Sequence, residues 1–247
     1  MLKIENLHQT FHEGEVNEVQ ALRGVDLVVP TGQFVTIIGS NGAGKSTLFN
    51  TVAGVDKPSE GRILIDDVDV TDLSEHKRAS LIGRVFQNPL VGTAAGMTIA
   101  QNLTLALLRG NGRGLRLGVT APRRRQFESV LEPLGLGLEK RLDSRVSLLS
   151  GGQRQALTLL MATMVRPKLL LLDEHTAALD PRTAENILAL TNTIVQEQEL
   201  TTLMMDEGRI VLDLTAEEQK DMTVQDLIDM FSKVRQKELA EDELLLA

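Results

Sequence analysis

Cysteine, tryptophan and tyrosine do not occur in these 247 residues, and six phenylalanines are the whole aromatic complement. Without cysteine there is no disulfide framework, which fits a cytoplasmic setting. Long apolar runs are missing too. The most apolar stretches, Val35-Thr36-Ile37-Ile38 and Leu169 to Leu172, are strand-length, far short of the roughly 20 residues needed to span a bilayer, so any membrane role is expected to be peripheral. Met1-Leu2-Lys3-Ile4-Glu5 does not open a basic segment followed by an apolar one, and nothing there reads as a secretory signal. Excess positive charge is also absent. A formal net charge of -8 opposes non-specific binding to nucleic acid.

What is present is ordinary for a soluble globular chain, with 42% hydrophobic and 24% charged residues. That length can form one large α/β domain or a core with a smaller lobe. Basic residues cluster at Arg109, Arg113, Arg116 and Arg123-Arg124-Arg125 within a glycine-rich stretch, read here as a solvated loop leading into a helix.

Short strands are predicted at Ile4 to Leu7 and Gly24 to Val29, and the β-branched run Gln33 to Ile38 ends at Gly39. From Lys45 to Ala53 the pattern turns helical, and Gly54 with Lys57-Pro58-Ser59-Glu60-Gly61 supplies a stop and a turn before the strand Arg62 to Ile65. Between about Pro89 and Arg166 strand character gives way to helical patterns at Thr98 to Leu108, Arg123 to Leu134 and Gly152 to Val165. Strand-like Lys168 to Leu172 follows, then a helix from Pro181 to about Gln198. The reading is one domain, with a core over 1–88 and 167–212, a helical insertion over 89–166 and a helical tail over 213–247. The tail carries Val224, Leu227, Ile228, Met230 and Phe231 at amphipathic spacing. The pattern does not repeat, so the chain holds one such unit rather than a tandem pair.

Three segments carry chemistry. Gly39-Ser40-Asn41-Gly42-Ala43-Gly44-Lys45-Ser46-Thr47 fits a phosphate-binding loop, with a strand before it and a helix after it. Its glycines let backbone N–H groups surround phosphate oxygens at a helix N-terminus. Lys45 is expected to reach the β- and γ-phosphates of ATP, and Ser46 to ligate Mg²⁺. Leu169-Leu170-Leu171-Leu172-Asp173-Glu174 is an apolar strand ending in two carboxylates, which suit Asp173 to hold the metal and Glu174 to act on an attacking water. Leu149-Ser150-Gly151-Gly152-Gln153 could be only a helix cap with a flexible entry.

Taken together with the other two segments, Leu149 to Gln153 resembles the signature motif of ATP-binding cassette (ABC) ATPases. That resemblance implies a P-loop NTPase, RecA-like α/β core with an antiparallel β subdomain and an inserted α-helical subdomain. It also implies a head-to-tail homodimer that sandwiches two MgATP, with Ser150, Gly151 and Gly152 facing the γ-phosphate held by the opposing subunit. Gln87 falls where the family has its Q-loop glutamine, a sensor of metal and water, and Asp180 matches the D-loop that crosses the interface. Phe11 falls where the family's adenine-stacking aromatic sits; Phe34, Phe49 and Phe86 read as core. The implied role is an ATPase subunit, peripheral on the cytoplasmic membrane face, that drives separate permease subunits. Import is favoured, with a solute-binding protein as a further partner and amino acids as the solute class.

Two positions depart from the family. His175 stands where most members have proline, and the resulting Glu174-His175-Thr176-Ala177-Ala178-Leu179-Asp180 resembles a bacterial uptake-type subgroup; no catalytic role is assigned to His175. After Thr201-Thr202-Leu203-Met204 the family has a switch histidine, a helix and a strand, about 15 to 20 residues at ordinary element lengths, before a turn like Asp206-Glu207-Gly208-Arg209. Here Met204-Met205 runs straight into that turn. Removing a core strand would leave its neighbours' ladder groups unsatisfied at a cost of about several kcal/mol, which favours a longer parent sequence over a true deletion. A soluble ABC ATPase outside transport, and an ATP-binding module impaired in hydrolysis, are the competing functions. The first would need a long coiled-coil insertion or a second cassette, neither of which is present.

Overall fold

The computed structural model describes residues 1–31, 37–38, 42, 44–86, 88–110, 118–173, 179, 183, 186–187, 189–191, 193, 202–206 and 209–214. The chain divides into two compact units, one formed by Met1–Val52, Asp56–Thr71 and Gln198–Ala247, the other by Ala53–Val55 and Asp72–Glu197.

In the first unit, β1 (Leu2–Phe11) and β2 (Val19–Val29) are much longer than the short apolar runs that announced them. Buried residues alternate at Leu2 and Ile4, then resume out of phase at Leu7 and Gln9. A bulge at Asn6 explains the slip. Asn6 has φ 46°, its N–H donates to Asp26 Oδ1 at 2.7 Å, and the register with β2 shifts between Ile4 and Leu7. The neighbouring strand leaves room for it, because a Cβ at Gly61 (φ +93°) would lie 2.3 Å from the Asn6 carbonyl oxygen. Alternation is the usual strand signal, and the bulge breaks it.

β4 (Glu60–Ile65) pairs antiparallel with β1, and β5 (Val68–Asp69) with β4, giving a four-stranded sheet in the order β2-β1-β4-β5. Its buried face holds Ile4, Leu22, Leu27, Ile63 and Ile65. β3 (Ile37–Ile38) leads toward α1 (Lys45–Ala53), whose bounds match the sequence reading. β3 pairs parallel with β8 (Thr202–Asp206), and β8 pairs antiparallel with β9 (Arg209–Leu214). β8 therefore has a ladder partner on each side.

In the second unit, β6 (Ile82–Val85) and β7 (Leu169–Leu172) run parallel, Ile82 opposite Leu169 and Val85 opposite Leu172. The short α2 (Glu75–Arg78) buries Arg78, whose Nε donates to the Leu73 carbonyl at 2.8 Å. α3 (Ile99–Leu107), α4 (Ala121–Leu131) and α5 (Gly151–Thr163) enclose a core of Ile99, Leu103, Phe127, Leu131, Val146 and Leu157. The second predicted helix is cut short. Pro133, lacking an N–H, turns Glu132–Leu134 into a 3₁₀ turn that Gly135 closes at φ 65°. Beyond Leu179 the helix predicted from Pro181 is described only at residues 183, 186–187, 189–191 and 193, all helical. The tail from 215 lies outside the described residues.

Candidate functional site

The loop into α1 is shaped by glycines. Gly42 and Gly44 adopt φ +87° and +80°, and a Cβ on Gly44 would meet the Ala21 carbonyl oxygen of β2 at 2.7 Å. Side chains other than glycine are thus excluded at Gly44 on two grounds, backbone region and space. The helix closes at once, with Leu48 N–H donating to the Gly44 carbonyl at 2.8 Å. No acidic residue occupies its first turn, leaving the positive N-terminal end uncancelled for an anion. Lys45 and Thr47 are half-buried and Ser46 is exposed. Gly39, Ser40, Asn41 and Ala43 lie outside the described residues. Phe11 closes β1 opposite Val19, half-buried. Of the phenylalanines assigned to core, Phe49 is buried, Phe86 is half-buried beside a surface groove, and Phe34 is outside the described residues.

At the end of β7 the Asp173 N–H donates to the Val85 carbonyl at 3.0 Å, extending the parallel ladder by one step. Its carboxylate faces Arg84, with Nη2 to Oδ2 at 3.8 Å. The same guanidinium lies over the Phe86 ring, 4.6 Å from the centroid. Glu174, Gln87, His175 and Asp180 lie outside the described residues. Among the described residues no three acidic or histidine side chains converge on a point. Asp173 supplies one carboxylate at the end of β7, which suits Mg²⁺, an ion usually held by one or two carboxylates plus substrate phosphates.

The signature segment forms a capped helix start. Ser150 is the N-cap of α5, its side chain accepting from Gln153 N–H at 3.2 Å while Gln153 Oε1 accepts from Ser150 N–H at 3.2 Å. This capping box satisfies two otherwise orphaned donors. Gln153 is held further by Arg141 Nη1, 3.4 Å from Oε1, and by donating from Nε2 to the Leu136 carbonyl at 3.3 Å. Leu149 is buried behind the cap and Gly151 is exposed. Gly152 is buried against the following helix, where an added Cβ would fall 2.1 Å from Thr183 Cγ2.

Three participants were not legible in the sequence. Gln155, 1% exposed, donates from Nε2 to the Phe86 carbonyl at 3.4 Å, tying α5 to the residue before Gln87. Arg84 joins β6 to Asp173. Arg109, read as part of a solvated basic loop, instead sends Nη2 to the Ala162 and Val165 carbonyls at 3.0 and 2.6 Å. It caps the C-terminus of α5, and burial lowers its pKa. Its neighbours fit the solvated reading better: Arg124 is paired with Asp143, and that hydrogen bond holds the Asp143 carboxyl below its usual range. Gln155 had one sequence cue, a polar residue amid the apolar positions of an amphipathic helix.

A groove of about 320 Å³ is lined by Arg84, Phe86, Val91, Leu105, Arg109 and Met161 among others. Of its lining residues, Val91 and Leu105 are exposed.

The profile of the ABC transporter family matches residues 22–177. A tyrosine transport ATP-binding protein of Clostridioides difficile (strain R20291) is 41% identical over 250 positions, covering 94% of this chain and 98% of that protein. Those 250 positions exceed the chain's own length, so the relative carries positions that have no counterpart here. The methionine import ATP-binding protein MetN of Escherichia coli (strain K12) is 38% identical over 209 positions, 83% of this chain but 57% of MetN. The dimeric post-hydrolysis state of the ATP-binding cassette MJ0796 bound to ADP and Pi is 27% identical, with a TM-score of 0.73 over 87% of this chain and 98% of that one. The class is therefore that of P-loop ATPases of the cassette type. The chain belongs to the ABC transporter family, as its ATP-binding and ATP-hydrolysing subunit.

Proposed function

We propose that this chain powers import of an amino acid or a similar small polar solute, from the cytoplasmic face of the membrane, through separate permease subunits supplied by a solute-binding protein. The observation that carries the reading is the match along nearly the full length of both chains to a tyrosine transport ATP-binding protein; the import direction is supported by the likeness to a methionine import ATP-binding protein. Among the described residues no helix is long and apolar enough to cross a membrane. The groove lined by Phe86, Val91, Leu105 and Met161 offers apolar side chains on which a permease would dock.

Within the site, Phe11 stacks on adenine and the backbone from Gly39 to Thr47 surrounds the phosphates. Lys45 neutralises the β- and γ-phosphates as charge shifts in the transition state. Ser46, Asp173 and Gln87 would hold Mg²⁺, which when bound screens the phosphate charge. Glu174 orients the attacking water and accepts its proton. Ser150, Gly151 and Gly152 approach the ATP of the opposing subunit, where the start of α5 offers N–H donors and its positive end, while Asp180 crosses the interface. Phosphate release, with and without the permease subunits, tests the reading. Lys45→Ala is expected to weaken MgATP binding and reduce turnover to background, whereas unchanged turnover would remove the nucleotide assignment.

A further inference from the structure

Arg84 stands in β6 opposite Leu171 of β7, in parallel register. Side chains on a strand alternate between faces, so Phe86 shares the face of Arg84, and Asp173, one residue past β7, shares the face of Leu171. The arrangement sends the Arg84 guanidinium toward the Asp173 carboxylate. Its Nη2 is 3.8 Å from Oδ2, and the two side chains are only 12% and 17% exposed. The guanidinium also lies over the Phe86 ring, 4.6 Å from its centroid, which restrains it further. A charge so fixed and so little exposed to solvent acts on its partner more strongly than a surface lysine would.

We propose that Arg84 is a built-in counter-ion of Asp173 that positions the carboxylate and lowers its affinity for Mg²⁺. It would do so by holding the carboxylate in place before metal arrives and by opposing a second positive charge afterwards. Nucleotide phosphates are then needed to complete the binding of the ion. The inference rests on the assignment of Asp173 to the metal, and its test separates the two.

The measurement is the Mg²⁺ concentration that half-saturates the rise in melting temperature of the full chain at saturating ADP. It is made for the unmodified protein and for Arg84→Met, Arg84→Gln, Arg84→Lys and Asp173→Asn. Both neutral replacements of Arg84 should lower the half-saturating Mg²⁺ by about fivefold or more, the scale of a unit charge acting on a divalent ion across several ångströms of partly screened medium. Arg84→Lys, which keeps the charge but loses the planar stacked fork, should give a midpoint between the unmodified protein and the neutral variants. A purely structural role would lower the melting temperature of the neutral variants but leave their Mg²⁺ midpoint in place. If Asp173→Asn raises the midpoint while Arg84→Met and Arg84→Gln leave it unchanged or raise it, the counter-ion role is wrong. If Asp173→Asn leaves it unchanged, the metal assignment of Asp173 falls and the counter-ion role with it. Should Arg84→Met not fold, Arg84→Gln against Arg84→Lys decides the matter by the same midpoint.

Discussion

Gly152 shows what single residues contribute at the signature segment. Sequence alone assigns it to phosphate contact through a resemblance, but the structure gives it a second reason, since the space for a Cβ is filled by Thr183 Cγ2 at 2.1 Å. Gly152→Ala should therefore destabilise the protein by about 1–3 kcal/mol, the usual cost of overpacking. Thr183→Ser in the same chain removes the clashing methyl and leaves the next contacts, Cβ and Oγ1, at 3.4 and 3.6 Å. The double variant should regain most of the loss in a denaturant melt, and no recovery would show that the clash is not with Thr183. Residues of this kind are legible when a motif fixes them, as with Gly44, Lys45 and Ser150. Arg84, Gln155 and Arg109 are not, because their meaning depends on partners 89, 69 and 53 to 56 residues away, beyond the reach of local patterning.

The elements that proved legible are those with strong end signals. α1 runs from Lys45 to the stop at Gly54, where φ is +84°. α3 and α5 start at capping boxes, Thr98 with Gln101 and Ser150 with Gln153. These two caps are alike in geometry and differ in proposed duty, which makes them a controlled pair. Thr98→Ala and Ser150→Ala should each cost about 1 kcal/mol of stability, read by denaturant melts. Only Ser150→Ala should also weaken ATP-dependent dimerisation, because only that cap faces a nucleotide in the proposed sandwich. Equal dimerisation in both variants would assign Ser150 to capping alone. β1 and β2 were less legible because the Asn6 bulge resets the alternation, and the α4 pattern overran its true end because Pro133 interrupts hydrogen bonding without interrupting apolar spacing.

On the scale of the whole molecule, the family follows from three motifs in order, and the relatives bear it out over most of the chain. The segment between Met204 and Arg209 is where the chain differs from the family pattern. β8 pairs with β3 on one side and with β9 on the other, at the place where the resemblance would insert a switch histidine, a helix and a strand. The mass of the intact protein comes first, because a chain heavier than these 27.0 kDa would restore that segment. The central claim is that two copies of the chain hold ATP between the phosphate loop of one and the signature helix of the other, and that Glu174 then drives hydrolysis. Glu174→Gln keeps the size of the side chain and removes its negative charge and basicity, so binding should persist while chemistry stops. Size-exclusion chromatography of this variant with and without ATP is the most direct measurement. The account predicts a dimer that forms only with ATP, together with phosphate release near background; a variant that stays monomeric in ATP, or that hydrolyses at the unmodified rate, would contradict it.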